Sequence, residues 1–261
     1  MEVVITADPG RLASVVADAV VDLLARRPDA VLGLATGSSP LGVYDELHRR
    51  HVRGEVSFAR ARGFALDEYV GLPPEHPERY ANVLDRELVS RVDFVPGAVQ
   101  APDGLAADLP GACAGFEAAI AASGGVDLQL LGIGTDGHVA FNEPGSSLAS
   151  RTRLKTLTLQ TRRDNSRFFD GEVDAVPRHC LTQGLGTIMD ARHVVLVASG
   201  AAKAQAVHQM VEGPVTAMWP ASVLQLHPHV SVVVDEAAAS RLQLASYYRG
   251  AWAGKPSWQG L

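Results

Sequence analysis

Cysteine is nearly absent: Cys113 and Cys180 are the only two in 261 residues, and neither stands in a Cys-x-x-Cys pair. That excludes a disulfide framework and a cysteine-built zinc site, and it fits a reducing compartment. Long apolar runs are missing as well; no stretch reaches the roughly 18 uninterrupted apolar residues of a membrane span. Basic charge is in deficit. Lys and Arg number 23 against 29 Asp and Glu, for a net charge of −6, which argues against nucleic acid or an anionic membrane as a general partner. A local basic pocket for a small anion is compatible with that balance. Met1 to Pro9 has no basic segment leading into an apolar one, so no secretory signal is expected and a cytoplasmic location is. Repeats, low-complexity tracts and long polar linkers are also lacking. One domain over residues 1–261 is therefore expected, with residues 159–176 as a candidate mobile lid.

What is present is core material: 47% of the residues are hydrophobic. Short apolar runs at Val3–Ile5, Ala30–Leu34, Phe64–Leu66, Val126–Leu131 (with Asp127 and Gln129 interleaved), Val194–Ala198 and Val230–Val234 predict buried strands. Lys155–Leu159 is a weaker strand candidate. Between them, helical spacing of apolar residues predicts helices over 11–27, 41–50, 78–88, 107–122, 201–212 and 237–248, with a short helix or loop at 164–169 and an irregular tail from Gly250. Apolar strands alternating with amphipathic helices imply an α/β fold, a Rossmann-like open, mainly parallel sheet with helices on both faces.

The chemistry-bearing residues cluster just past predicted strand ends, where such folds place their sites. Thr36-Gly37-Ser38-Ser39 lies between a strand and a helix and is suited to cradle an anion, or is simply a capped turn. Gly37 and Gly42 have P-loop spacing, but Val43 stands where that motif needs Lys, which excludes ATP or GTP on this motif. Gly132-x-Gly134-x-x-Gly137 matches the dinucleotide fingerprint, yet Asn142-Glu143-Pro144-Gly145 breaks the chain where the helix should run. Asp136, His138 and Glu143 fall within eight residues. Metal ligation is one reading, although no second histidine lies at helical spacing; a histidine held by carboxylates for general acid/base work is another; a capped loop is the plain alternative. Asp67, past a second strand, suits proton abstraction or is an ordinary loop acid. Lys203 is placed in a first helical turn, against the helix dipole, a conflict that a bound phosphate would remove. Arg167 has Arg162 and Arg163 as neighbours, so a solvated basic face competes there.

Several of these segments occur together and in order: Leu34 to Pro40, Leu66 to Pro73, Gly134 to Pro144, Ser146 to Arg153, Asn165 to Phe169 and Met218 to Pro228. Together they resemble the glucosamine-6-phosphate deaminase (isomerising) family over about residues 2–245. The resemblance implies conversion of D-glucosamine 6-phosphate and water to D-fructose 6-phosphate and ammonia in amino-sugar catabolism, with neither metal nor other cofactor. It implies that His138 opens the pyranose ring, oriented by Asp136 and Glu143, and that Asp67 takes the C2 proton. Thr36, Gly37, Ser38, Ser39, Arg167 and Lys203 would hold the phosphate. Some family members are hexamers activated by N-acetylglucosamine 6-phosphate, so the resemblance also implies a homo-oligomer, with Ser146, Arg153 and Lys155 at the allosteric position. Arg249 occupies the place of a tyrosine that contributes to that response, with Tyr248 adjacent. The rival readings are a 6-phosphogluconolactonase, which has no evident use for Asp67 and Glu143 together, and a sugar-phosphate sensor, for which no output segment is visible.

Overall fold

The computed structural model describes residues 1–256 and 258–261. The first half of the chain forms β1 (Glu2–Thr6), α1 (Pro9–Arg26), β2 (Val31–Leu34), α2 (Leu41–Val52), β3 (Arg62–Ala65), β4 (Asp67–Tyr69), α3 (Tyr80–Glu87), β5 (Val99–Gln100) and α4 (Leu109–Ala122). The second half forms β6 (Leu128–Leu131), β7 (Arg153–Thr156), α5 (Leu159–Asn165), β8 (His179–Thr182), α6 (Leu185–Met189), β9 (His193–Ala198), α7 (Ala204–Val211), β10 (Val230–Asp235) and α8 (Ala245–Ala253).

Seven strands make a wholly parallel sheet in the order β1-β10-β9-β6-β2-β3-β5. Side chains alternate between its faces. Val194, Leu196, Val232 and Val234 pack with Phe116, Ile188, Val207 and Met210 of α4, α6 and α7. Val195, Val197 and Val233 point the other way, onto Leu12, Val16, Val20 and Leu47 of α1 and α2. Both faces are thus covered by helices, as expected of continuous apolar strands. Each such buried aliphatic side chain contributes about 1.5–3 kcal/mol. The strand order reverses at β2: the chain moves outward to β3 and β5, then returns to lay β6 on the other side of β2. That switch point is where ligands bind in open α/β sheets.

A second sheet, β4-β8-β7, is antiparallel. Leu66 is its hinge to the first. Its N–H donates to Leu34 O of the main sheet, while its carbonyl accepts from Gln183 N beside β8. The chain leaves one sheet and enters the other at this residue, so Asp67 opens β4 where the two sheets meet.

Several elements differ from the sequence-based expectation. The strand expected at 155–159 is β7 at 153–156, because Thr158 turns to cap α5, its side chain accepting from Thr161 N. Residues 237–244 are turns rather than helix: Asp235 takes Ala238 N and both oxygens engage Gly200 N. The last helix starts later and runs through Gly250 to Ala253, into the tail expected to be irregular; Ser257 of that tail lies outside the described residues.

At the N-terminal edge of the main sheet His193 stacks on His229, with ring centroids 3.7 Å apart and planes 2° from parallel. His193 Nε2 lies 3.0 Å from Ser231 Oγ. Burial first, then the neighbouring His229, His227 and Lys255, push the His193 pKa from 6.5 down to about 3. A base depressed in the folded state binds its proton in the unfolded state first. Stability is therefore complete above about pH 6.5 and is lost as pH falls toward 3. The expected result is a thermal midpoint that declines across this window, with a shallower decline in His193→Phe. A variant slope equal to wild type would assign the acid sensitivity to other groups.

Candidate active site

Four adjacent parallel strands, β9, β6, β2 and β3, deliver their C-terminal ends to one cavity of about 500 Å³. Thr36, Gly37, Ser38 and Ser39 enter it from the turn between β2 and α2. Asp67 enters past β3, and His138 from the loop after β6. Lys203 follows β9, and Arg167 comes from a 3-10 turn after α5.

The loop after β6 is built around a close approach. Gly134 N donates to His138 O at 2.8 Å and Gly137 N to Gly134 O at 3.1 Å, which folds the imidazole back over Gly134. A Cβ at Gly134 would lie 2.2 Å from His138 Cε1 and 2.3 Å from Nδ1. Gly137 has φ +81° and no room either, since a Cβ there would meet Trp219 Cε3 at 2.6 Å. Ala221 N donates to Gly137 O at 2.9 Å, so the 216–222 segment braces the loop from outside. The dinucleotide reading fails here for the reason visible in the sequence: no helix opens, and the next one is α5.

His138 Nδ1 lies 2.6 Å from Asp136 Oδ1, and His138 N donates to the same oxygen at 3.2 Å. The ring contact is close but lacks the geometry of a hydrogen bond. Burial tends to raise the Asp136 carboxyl, but its bonds from His138 and the histidine's charge bring it below the ordinary range. An ionised Asp136 favours a proton on Nδ1 and leaves Nε2 to exchange protons with a ligand.

Asp67 is 5% exposed. Burial, then the neighbouring Glu68, raise its pKa well above the carboxylate norm. Glu68, fully buried, is tied by the N–H groups of Tyr69, Tyr80 and Ala81 at 2.9, 2.9 and 3.0 Å, with Arg79 Nε at 3.7 Å. Asp67 thus presents a destabilised carboxylate to the cavity, a strong base when ionised.

Lys203 and Arg167 both face the cavity, and neither forms an ion pair among the described residues. Burial first, then the Arg167 charge, lower the Lys203 pKa. Across from them, no side chain caps the N-terminus of α2, whose first N–H groups follow directly on the 36–39 turn. Two cations without ion pairs and an uncapped helix start are features suited to an anion.

Glu143 is brought near but not into the cavity. Its Oε1 accepts from Thr158 N at 3.2 Å, Thr158 Oγ1 at 2.9 Å and Thr161 Oγ1. It fastens the first turn of α5 to the loop and makes no hydrogen bond to His138. Ser146, Arg153 and Lys155 lie outside the cavity. Ser146 Oγ is buried without a partner, and Arg153 and Lys155 share the half-buried face of β7. No group of His, Cys, Asp or Glu that could hold a metal occurs among the described residues, and no described helix is long and apolar enough to cross a membrane.

Tyr80 and Asn165 also line the cavity, although no motif in the sequence points to a role for either. The only local signals were an aromatic at the start of a predicted helix and a polar residue two before Arg167.

The family model for glucosamine-6-phosphate isomerases/6-phosphogluconolactonase matches residues 9–233. The chain is 69% identical to the glucosamine-6-phosphate deaminase of Mycolicibacterium smegmatis and 71% identical to that of Beutenbergia cavernae, over the full length of both proteins in each case. A solved structure described as a monomeric glucosamine-6-phosphate deaminase is 40% identical, with a TM-score of 0.90, covering 92% of this chain and 99% of its own. A 6-phosphogluconolactonase from Trypanosoma cruzi, 21% identical with a TM-score of 0.75 over 93% of this chain and 97% of its own, shares the fold. By the span of the model and these identities, the chain belongs to the glucosamine-6-phosphate isomerase/6-phosphogluconolactonase family.

Proposed function

We propose that this chain is a glucosamine-6-phosphate deaminase, converting D-glucosamine 6-phosphate and water to D-fructose 6-phosphate and ammonia in amino-sugar catabolism. The observation that carries the reading is the convergence in one cavity of a buried carboxylate base, a carboxylate-held histidine and two unpaired cations. The relatives named as deaminases at 69% and 71% identity support it. Lys203, Arg167 and the 36–39 turn hold the phosphate, whose binding energy positions the reacting carbons. His138 takes the O1 proton and returns one to O5, opening the ring. Asp67 takes the C2 proton, giving an enolamine, and delivers a proton to C1. Water then adds to the C2 imine and ammonia leaves.

Asp67 and its adjoining base geometry favour this over lactone hydrolysis, which needs no carbon acid abstraction. A coupled assay tests the reading: ammonia and fructose 6-phosphate are expected from glucosamine 6-phosphate in equal amounts. Formation of 6-phosphogluconate from its lactone with no ammonia from the amino sugar would overturn it. Residues 159–176, which carry Arg167 to the cavity on the 3-10 turn after α5, are the candidate lid in this reading. Ser146, with its unpartnered hydroxyl, and Arg153 and Lys155 on one face of β7 form the proposed allosteric anion site; activation by N-acetylglucosamine 6-phosphate in the same assay is its test. The implied cytoplasmic homo-oligomer requires a multiple of 27.6 kDa by light scattering, whereas a 27.6 kDa species would match the relative described as monomeric.

A further inference from the structure

Tyr69 follows Asp67 by two residues on β4, is 2% exposed and does not reach the cavity. Its ring belongs to an apolar cluster with Leu72, Phe141, Leu157 and Phe169. It lies 5.8 Å from the Phe141 ring and 5.8 Å edge-on from that of Phe169. Packing alone would be served by phenylalanine, yet a hydroxyl sits in this cluster, and a buried hydroxyl is costly without partners. It has two. Tyr80 Oη donates to it at 3.2 Å and Asn165 Nδ2 at 2.9 Å.

Both partners line the cavity beside Asp67. Tyr80 is gripped at its other end too, its backbone N–H bound by Glu68 of the same strand, and its ring stacks on Phe141 of the histidine loop at 10° between planes. Asn165 is the last residue of α5, and Arg167 follows two residues later. The helix is therefore fastened at its first turn by Glu143 and at its last residue by Tyr69.

We infer that the Tyr69 hydroxyl is a positioning group that ties the segment carrying Arg167 to the strand carrying Asp67, coupling phosphate binding to alignment of the base. The inference rests on the proposed deaminase reaction. An arm held by this bond meets the phosphate already in place, and a bound phosphate, by fixing Arg167 and Asn165, holds Tyr69 and Tyr80 against the base. Because binding couplings are reciprocal, a change at the hydroxyl is felt at both ends.

Tyr69→Phe tests this with the ring packing kept. Loss of one buried hydrogen-bond acceptor is expected to weaken binding roughly fivefold. The Michaelis constant for glucosamine 6-phosphate and the inhibition constant of inorganic phosphate should both rise by that factor, and C2 proton exchange at saturating sugar should fall. Asn165→Ala, made at the partly exposed end of the bond, should reproduce these changes even if Tyr69→Phe fails to fold. The double variant should be no worse than Tyr69→Phe, which already removes the acceptor that Asn165 bonds. A purely structural tyrosine would lower the thermal midpoint and leave the phosphate constant and exchange alone. That result in an active wild-type background, or additive losses in the double variant, overturns the coupling. A wild-type chain that releases no ammonia overturns the reaction itself.

Discussion

Asp67→Asn is expected to abolish exchange of the C2 proton of glucosamine 6-phosphate with solvent and to lower turnover by about two to four orders of magnitude, the range supplied by a positioned general base. The amide keeps the shape of the carboxylate and cannot take a proton. Inorganic phosphate should still bind as in wild type, because Lys203, Arg167 and the 36–39 turn are untouched. Asp67 has its pKa raised by burial and then by Glu68, which sets two signs. For activity, the low-pH limb of kcat/KM should lie above the ordinary carboxylate range, since the ionised form is the base. For stability, a carboxyl with its folded pKa above its unfolded pKa holds the extra proton when folded, so stability falls as pH rises through the folded value. Asp67→Asn should therefore unfold no lower than wild type at pH 7, and the difference should vanish toward pH 4. Wild-type exchange in the variant would remove Asp67 from the role of base, and a lower midpoint at pH 7 would contradict the cost assigned to its charge. A base that costs stability where it is buried would be the expected trade between stability and activity.

The frame of the fold was legible because its central strands are buried on both faces. Val194–Ala198 and Val230–Val234 have no polar interruption long enough to mislead, and both form strands of the parallel sheet. The elements that escaped notice are short or polar. β5 has two residues, α6 five, and β8 begins with an exposed histidine. Their partners are remote in the chain: β8 is fixed by pairing with β4, more than a hundred residues away. The site divides along the same line. Strand-end motifs announced the 36–39 turn, Asp67 and the histidine loop, since each is a local interruption of an apolar run. The bond from Asn165 to Tyr69 joins residues 96 apart and the one from Thr161 to Glu143 joins residues 18 apart, neither at a spacing with a periodic signature. Glu143 shows the limit most clearly. Its nearness to His138 in sequence suggested a direct partner, whereas the fold turns its carboxylate onto α5.

Gly134→Ala should cost nearly as much as removing the histidine. The Cβ would stand 2.2 Å from His138 Cε1 and 2.3 Å from Nδ1, well inside contact distance. The ring cannot simply swing aside, for its Nδ1 is engaged with Asp136 and the backbone on both sides is bonded, Gly134 N to His138 O and Gly137 N to Gly134 O. A displacement of about 1 Å in a reacting group can cost on the order of a hundredfold in rate. Turnover of the cyclic sugar phosphate is expected to fall by that order, as it should in His138→Gln. The two losses differ from that of Asp67→Asn in what survives. C2 exchange on a ring-opened sugar phosphate needs the base and the phosphate site alone, so it should stay near wild type in Gly134→Ala and vanish in Asp67→Asn. Equal losses on cyclic and ring-opened substrates would argue against ring opening as the task of His138. Normal turnover of the cyclic sugar by Gly134→Ala would show that the imidazole works from a position other than the one packed over Gly134.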